Sequence, residues 1–167
     1  MSLRIVDGMI LGISSTDIKE VTIPARIVTA IGPGAFANCK ELSTVIFQEP
    51  SAVKSIESAA FSGCDSLCVI QLPRSLEMLW DNAFRGCVKL STIAFYDNLW
   101  FVGNAVFNAC NTLQSVTFPR SLKMMDKRAL YNCPHLKKVF LPRGVRIICG
   151  HSETDLTAPA GCHLSYL

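Results

Sequence analysis

The sequence predicts a mainly-β repeat solenoid, and three observations carry that reading. The skeleton Ala-Phe-x-x-Cys-x-x-Leu-x-x-aliphatic-x-apolar stands at Ala83, Phe84, Cys87, Leu90, Ile93 and Phe95, and it returns from Ala35 to Phe47, Ala60 to Leu72, Val106 to Phe118 and Ala129 to Leu141. Its cysteines fall at 39, 64, 87, 110 and 133, so the intervals are 25, 23, 23 and 23 residues. A fixed period of this size marks units that cannot bury an apolar face alone and must stack to do so. The half-unit after each leucine alternates apolar and polar residues, the pattern of a strand with one buried face.

Residues 1–17 fall outside the period. Ile5, Val6, Met9, Ile10 and Ile13 flank the turn signal Asp7-Gly8, which predicts a hairpin capping the open end of the stack. Residues 18–148 hold about six repeats. Each strand is followed by Pro24, Gln48, Pro73, Tyr96, Pro119 or Pro142, and proline at that place stops a strand and turns the chain. A second apolar pair follows each strand, from Val28 and Ile31 to Val145 and Ile148, and predicts a second, shorter extended face. Phenylalanine and cysteine three residues apart then share the inner side of one tight turn or short 3₁₀ helix. Each coil thus has three sides, and coils stack at about 4.8 Å, the spacing of parallel strands. The longer first interval places its two extra residues in the loop 48–52. Residues 149–167 break the pattern and read as a degenerate cap or a truncated repeat.

Half of the residues are apolar and 17% are charged, which excludes a disordered chain. No apolar run is long enough to span a membrane. Five of the eight cysteines occupy one place in the repeat, so they form a buried, reduced ladder and not a disulfide framework. The N-terminus has no charged region leading into an apolar one, which with the reduced thiols gives an expectation of a cytoplasmic protein. The alternative is a surface or secreted protein whose leader has been trimmed.

The unit Ala-Phe-x-x-Cys-x-x-Leu-x-x-Val-x-Phe-Pro-x-x-Leu-x-x-Leu resembles the 23-residue BspA-type leucine-rich repeat. The opening Val6-Asp7-Gly8…Val21-Thr22-Ile23-Pro24 is similar to that family's entry into its first repeat. The resemblance covers roughly residues 18–148. It departs at Gln48 and Tyr96, which replace the strand-ending proline, at Leu130, which replaces phenylalanine, and in the tail. It implies a right-handed, curved leucine-rich-repeat superhelix with a concave parallel sheet. It also implies a role in protein recognition, often as surface adhesion, without catalysis.

Two apolar surfaces and one charged region are the candidate sites. On the expected concave face, Ile46, Val69, Tyr96 and Phe140 are larger and more apolar than a solvated sheet needs, and solenoid sheets are natural binding platforms. The plain alternative is that single exposed apolar residues are ordinary. On the second face, Trp80, Trp100 and Phe101 gather near Met78 and Met124, which suggests a partner surface or a homodimer face. The plain alternative is that the indoles lie flat and cover the core. Residues 120–148 carry eight basic side chains against Asp126, a formal +7. Lys123, Lys127, Arg128, Lys137 and Lys138 are therefore the candidates for an anionic partner, although no nucleic-acid motif accompanies them. Cys149, His151, Cys162 and His163 match no common zinc spacing. No phosphate loop, nucleophile elbow or apolar carboxylate pair is present, so no catalytic residue, metal or cofactor is expected. The function expected is non-enzymatic protein recognition or adhesion, with binding of an anionic partner as the alternative.

Overall fold

A computed structural model describes residues 2–150 and 152–167. The chain opens with β1 (Leu3–Val6) and β2 (Met9–Ile13). Each coil then lays one strand on a first face and a shorter one on a second. These are β3 (Glu20–Ile23) and β4 (Ala30–Ile31), β5 (Thr44–Phe47) and β6 (Ser55–Ile56), and β7 (Val69–Gln71) and β8 (Met78–Leu79). They continue as β9 (Thr92–Ala94) and β10 (Phe101–Val102), β11 (Ser115–Thr117) and β12 (Met124–Asp126), and β13 (Lys138–Leu141) and β14 (Arg146–Cys149). The chain closes with β15 (Ser152–Glu153) and β16 (His163–Tyr166). No helix occurs among the described residues. The result is a mainly-β solenoid of about seven turns.

The second face is the continuous one. Its nine strands run β1-β2-β4-β6-β8-β10-β12-β14-β15, with antiparallel hairpins at the two ends and parallel pairing between. The first face was expected as one parallel sheet, and here the structure differs. It is divided into β3-β5, β7-β9 and β11-β13-β16. Both breaks follow a coil whose strand lacks the closing proline, at Gln48 and at Tyr96. After coil two, the 48–52 insertion displaces the exit of β5. After coil four, Phe95 stacks on Phe118 at 5.2 Å between centroids, so the core stays packed across the second break. The tail adds to the stack, because β16 pairs in parallel with β13 and places Leu164 beside Val139.

The core is a set of ladders. Phe36, Phe61, Phe84 and Phe107 are buried and stack face to face, with centroids 5.1, 5.4 and 5.8 Å apart. Each phenylalanine carbonyl accepts the amide of the cysteine three residues on, which closes the tight turn, as in Cys64 N to Phe61 O at 3.3 Å. The same carbonyl accepts the thiol of the next coil. Cys64, Cys87, Cys110 and Cys133 donate through Sγ to the carbonyls of Phe36, Phe61, Phe84 and Phe107 at 3.0–3.3 Å. Cysteine suits the site because it is small, apolar enough to bury and still a donor. The residue before each ladder cysteine, Asn38, Gly63, Gly86, Ala109 or Asn132, has φ between 56° and 72°. Glycine and asparagine tolerate that left-handed conformation, whereas Ala109 is strained by it.

One register differs from the period. Repeat spacing aligns Ile147 with Met124 and sends Ile148 into the core beside Val145. The structure pairs Met124 with Arg146 and Met125 with Ile147, so Ile147 packs on the core in place of Ile148. The last coil makes its second corner one residue sooner than the others.

Candidate protein-recognition surfaces

On the first face the pairing fixes which side chains stand together. One outward row runs Thr22-Ile46 across β3 and β5, Gln71-Ala94 across β7 and β9, and Thr117-Phe140 across β11 and β13. Ile46 and Val69 lie on adjacent coils and are 42% and 56% exposed, a large share for branched aliphatic side chains. They flank the break between β5 and β7, where an opening of about 180 Å³ is lined by Val45, Ile46, Phe47, Glu49, Gln71 and Leu72. Tyr96 is half-buried and held from two sides. The Arg74 guanidinium sits 4.6 Å from its ring centroid, and Gln71 Nε2 donates to its hydroxyl at 3.2 Å. The Arg74 carbonyl in turn accepts from Asn98 Nδ2 at 2.7 Å. Phe140 is half-buried two coils beyond Tyr96 and is separated from Ile46 in its row by Gln71, Ala94 and Thr117. The structure therefore puts Ile46 and Val69 on adjacent coils, joins Tyr96 on coil four to Gln71 and Arg74 of coil three, and leaves Phe140 four coils from Ile46 along its row.

On the second face the predicted aromatic group is contiguous. Phe101 pairs in register with Met78 on one side and Met124 on the other. The Trp80 ring packs on Phe101 at 5.2 Å and the Trp100 ring at 5.8 Å, both tilted. Trp80 thus covers part of the neighbouring coil and Trp100 packs within its own, yet Trp80 remains 37% exposed and Trp100 38%. Gly103 is fixed by the same crowding, since a Cβ there would meet Asp81 Oδ1 at 2.5 Å and the Asp81 amide nitrogen at 2.9 Å.

A model of the BspA type leucine rich repeat region, in six copies, matches residues 13–51 and 29–152. The chain belongs to this family. A leucine-rich repeat protein of T. pallidum is 33% identical in a solved structure, with a TM-score of 0.75 over 80% of this chain and 63% of that one. A leucine-rich repeat protein of Bacteroides ovatus is 31% identical, with a TM-score of 0.68 over 78% of this chain and 33% of that one. One from Eubacterium ventriosum is 17% identical, with a TM-score of 0.64 over 83% of this chain and 38% of that one, and it shares the fold. The chain thus spans less than two thirds of the first of these solved structures and about a third of the second. No curated protein sequence matches it. BspA-type and related leucine-rich repeats are generally protein-binding or adhesion modules, and their fold is typically non-enzymatic.

The BspA-type coils scatter the predicted cations. Lys137 and Lys138 stand exposed at the start of β13, Lys127 and Arg128 in the turn after β12, and Lys123 on the second face, so the five occupy three sides of the solenoid. Lys123 keeps different company. Arg146 N donates to the Lys123 carbonyl at 2.9 Å, and Arg120 and Arg143 hold the matching exposed positions three residues earlier on the same two coils. The 23-residue spacing of Arg120 with Arg143, and of Lys123 with Arg146, already aligns these four in the sequence.

Burial pushes the ladder thiols of Cys64, Cys87 and Cys110 far above the ordinary range, with neighbouring ladder thiols adding to it, and Cys133 up to about 11. Protonated and buried, they are neither nucleophiles nor metal ligands at neutral pH. Of the tail residues weighed for zinc, His151 lies outside the described residues, and no group of three metal-ligating side chains forms among the rest. No described helix is long and apolar enough to cross a membrane.

Proposed function

We propose that this chain is a non-enzymatic protein-recognition module that uses the first face of coils two to four. The observation that carries the reading is the exposed pair Ile46 and Val69 on adjacent coils, with Gln71 on the same face reaching a Tyr96 ring that Arg74 also covers. Exposed aliphatic anchors next to a braced aromatic lose little side-chain freedom on binding, so more of the contact energy appears as affinity. The opening between β5 and β7 gives a partner's side chain a place to enter. The test is capture from the source organism's lysate and from extracellular matrix by wild type and by the Ile46→Asp/Val69→Asp variant, each checked for folding. The variant should lose the captured protein, with affinity down by about 30-fold or more once that partner is purified. Full capture by the folded variant would overturn the reading.

The corner of Arg120, Lys123, Arg143 and Arg146 favours a second reading, in which an anionic partner binds coils five and six. Such binding falls steeply with salt, whereas apolar recognition does not. Loss of capture with added salt and with Arg120→Glu/Lys123→Glu, but not with the Ile46/Val69 variant, would select it.

A further inference from the structure

We propose that the aromatic second face is a self-association surface, on which two copies pack back to back about a two-fold axis running along β10, with their solenoids antiparallel. The proposal stands apart from the first-face reading and uses none of its residues.

The occupant follows from the order of side chains along the face. Backbone bonds between successive coils fix one row as Lys54, Glu77, Trp100, Lys123 and Arg146: Glu77 N donates to Lys54 O at 2.8 Å, Trp100 N to Glu77 O at 2.9 Å, Lys123 N to Trp100 O at 3.0 Å, and Arg146 N to Lys123 O at 2.9 Å. The central three read acid, aromatic, base. The adjoining row is Met78, Phe101 and Met124. A two-fold axis in the plane of the interface and along β10 reverses coil order while keeping each row opposite itself. Coil four then meets coil four, so Trp100 and Phe101 face their own copies. Coil three meets coil five, so Met78 faces Met124 of the second copy, and Glu77 faces Lys123 of the second copy, twice; coil two meets coil six at the edge of the patch, where Lys54, held by Glu77 of its own chain, comes opposite Arg146 of the second copy.

The patch has the composition of an interface centre, with two tryptophans, a phenylalanine and two methionines flanked by charges. Glu77 already holds Lys54 in its own chain at 3.0 Å, a pair whose side chains are 35% and 64% exposed. A carboxylate has acceptor capacity for a second cation, and Lys123 is the one that symmetry delivers. The end hairpins leave this arrangement clear, because β1 and β15 lie at the two ends of the face and the aromatic rows lie at its middle.

The symmetry makes a test that folding defects cannot imitate. Sedimentation equilibrium of the wild type should show a reversible monomer–dimer equilibrium, and folded Trp100→Asp should stay monomeric. Glu77→Lys sets two lysines against each other twice, and Lys123→Glu does the same with two glutamates. Each single variant should raise the dimer Kd by about tenfold or more. An equimolar mixture of the two should dimerise clearly more tightly than either variant alone, short of wild type because Glu77→Lys also breaks the pair with Lys54. In the mixed dimer the introduced lysine of one variant meets the introduced glutamate of the other, and the remaining contact is the native one between Lys123 and Glu77. A wild type that stays monomeric at every concentration leaves the face to a different protein and overturns the proposal. So does a dimer that survives Trp100→Asp, and a mixture that stays as weak as its components overturns the two-fold arrangement.

Discussion

At the scale of single residues, the cysteine ladder links chemistry to stacking. Each thiol gives the phenylalanine carbonyl of the preceding coil a second donor, at 3.0–3.3 Å. An unfolded thiol ionises near pH 8.5, whereas burial holds the ladder thiols well above that. The unfolded chain therefore loses protons first, and stability is fully present below about pH 8.5 and falls as pH rises through the folded values, near 11 for Cys133. The unfolding free energy from urea titrations should be flat from pH 6 to about 8 and then drop, by up to about 1.4 kcal/mol per pH unit for each ionising thiol. A flat profile to pH 10 would contradict the buried ladder. A thiol reagent should likewise leave Cys64, Cys87, Cys110 and Cys133 unmodified in the native protein and label them after denaturation. Ala109 carries the opposite kind of signal. It holds φ 60° where Gly63 and Gly86 hold 70° and 72°, so Ala109→Gly should raise stability by about 0.5–1 kcal/mol in thermal melts.

At the scale of elements, the two faces differ in continuity. The second face pairs without a gap through strands of only two to four residues between its capping hairpins, while the longer strands of the first face are interrupted twice. Backbone amides that face the β5/β7 and β9/β11 breaks lack ladder partners there. They should exchange with deuterium faster than the amides within β3-β5 or β11-β13. Equal protection across all of β3 to β13 would mean that the breaks close in solution. The phenylalanine turns join the second face of one coil to the first face of the next. Phe84 is fully buried between Phe61 and Phe107, so Phe84→Ala should cost about 3–5 kcal/mol by chemical denaturation, through lost burial and the cavity left behind. A cost under about 1 kcal/mol would contradict that burial.

At the scale of the whole molecule, every coil contacts only its neighbours, and stability is a sum of coil and interface terms. Damage at the middle coil, as in Phe84→Ala, should produce a second unfolding transition or one broad transition, whereas the same loss near an end should only fray the stack. Calorimetry of Phe84→Ala beside Leu130→Ala distinguishes the two. A single sharp transition in both would mean that cooperativity reaches further than nearest neighbours. The same one-dimensional build gives each face a fixed row order, so charges set on successive coils, such as Glu77 and Lys123 on either side of Trp100, become a pattern that a partner can read.

The sequence by itself determined the coil, its period, its buried ladders and the family, because one skeleton written five times averages out local ambiguity. It also placed Trp80, Trp100 and Phe101 together, since residues one period apart must be neighbours in a stack. Only the tertiary structure decided which face carries an unbroken sheet. Pairing depends on how the chain leaves each strand, and both breaks follow an exit without proline, at Gln48 and at Tyr96. It also moved Ile147 into the place expected for Ile148 and laid β16 of the irregular tail beside β13. Those outcomes rest on corner geometry and on the direction in which each side leaves the coil, which residue spacing alone does not encode. The Arg74–Tyr96–Gln71 bracing belongs to the same class: its members lie about one period apart, but which donor reaches the ring is settled by side-chain reach across the corner.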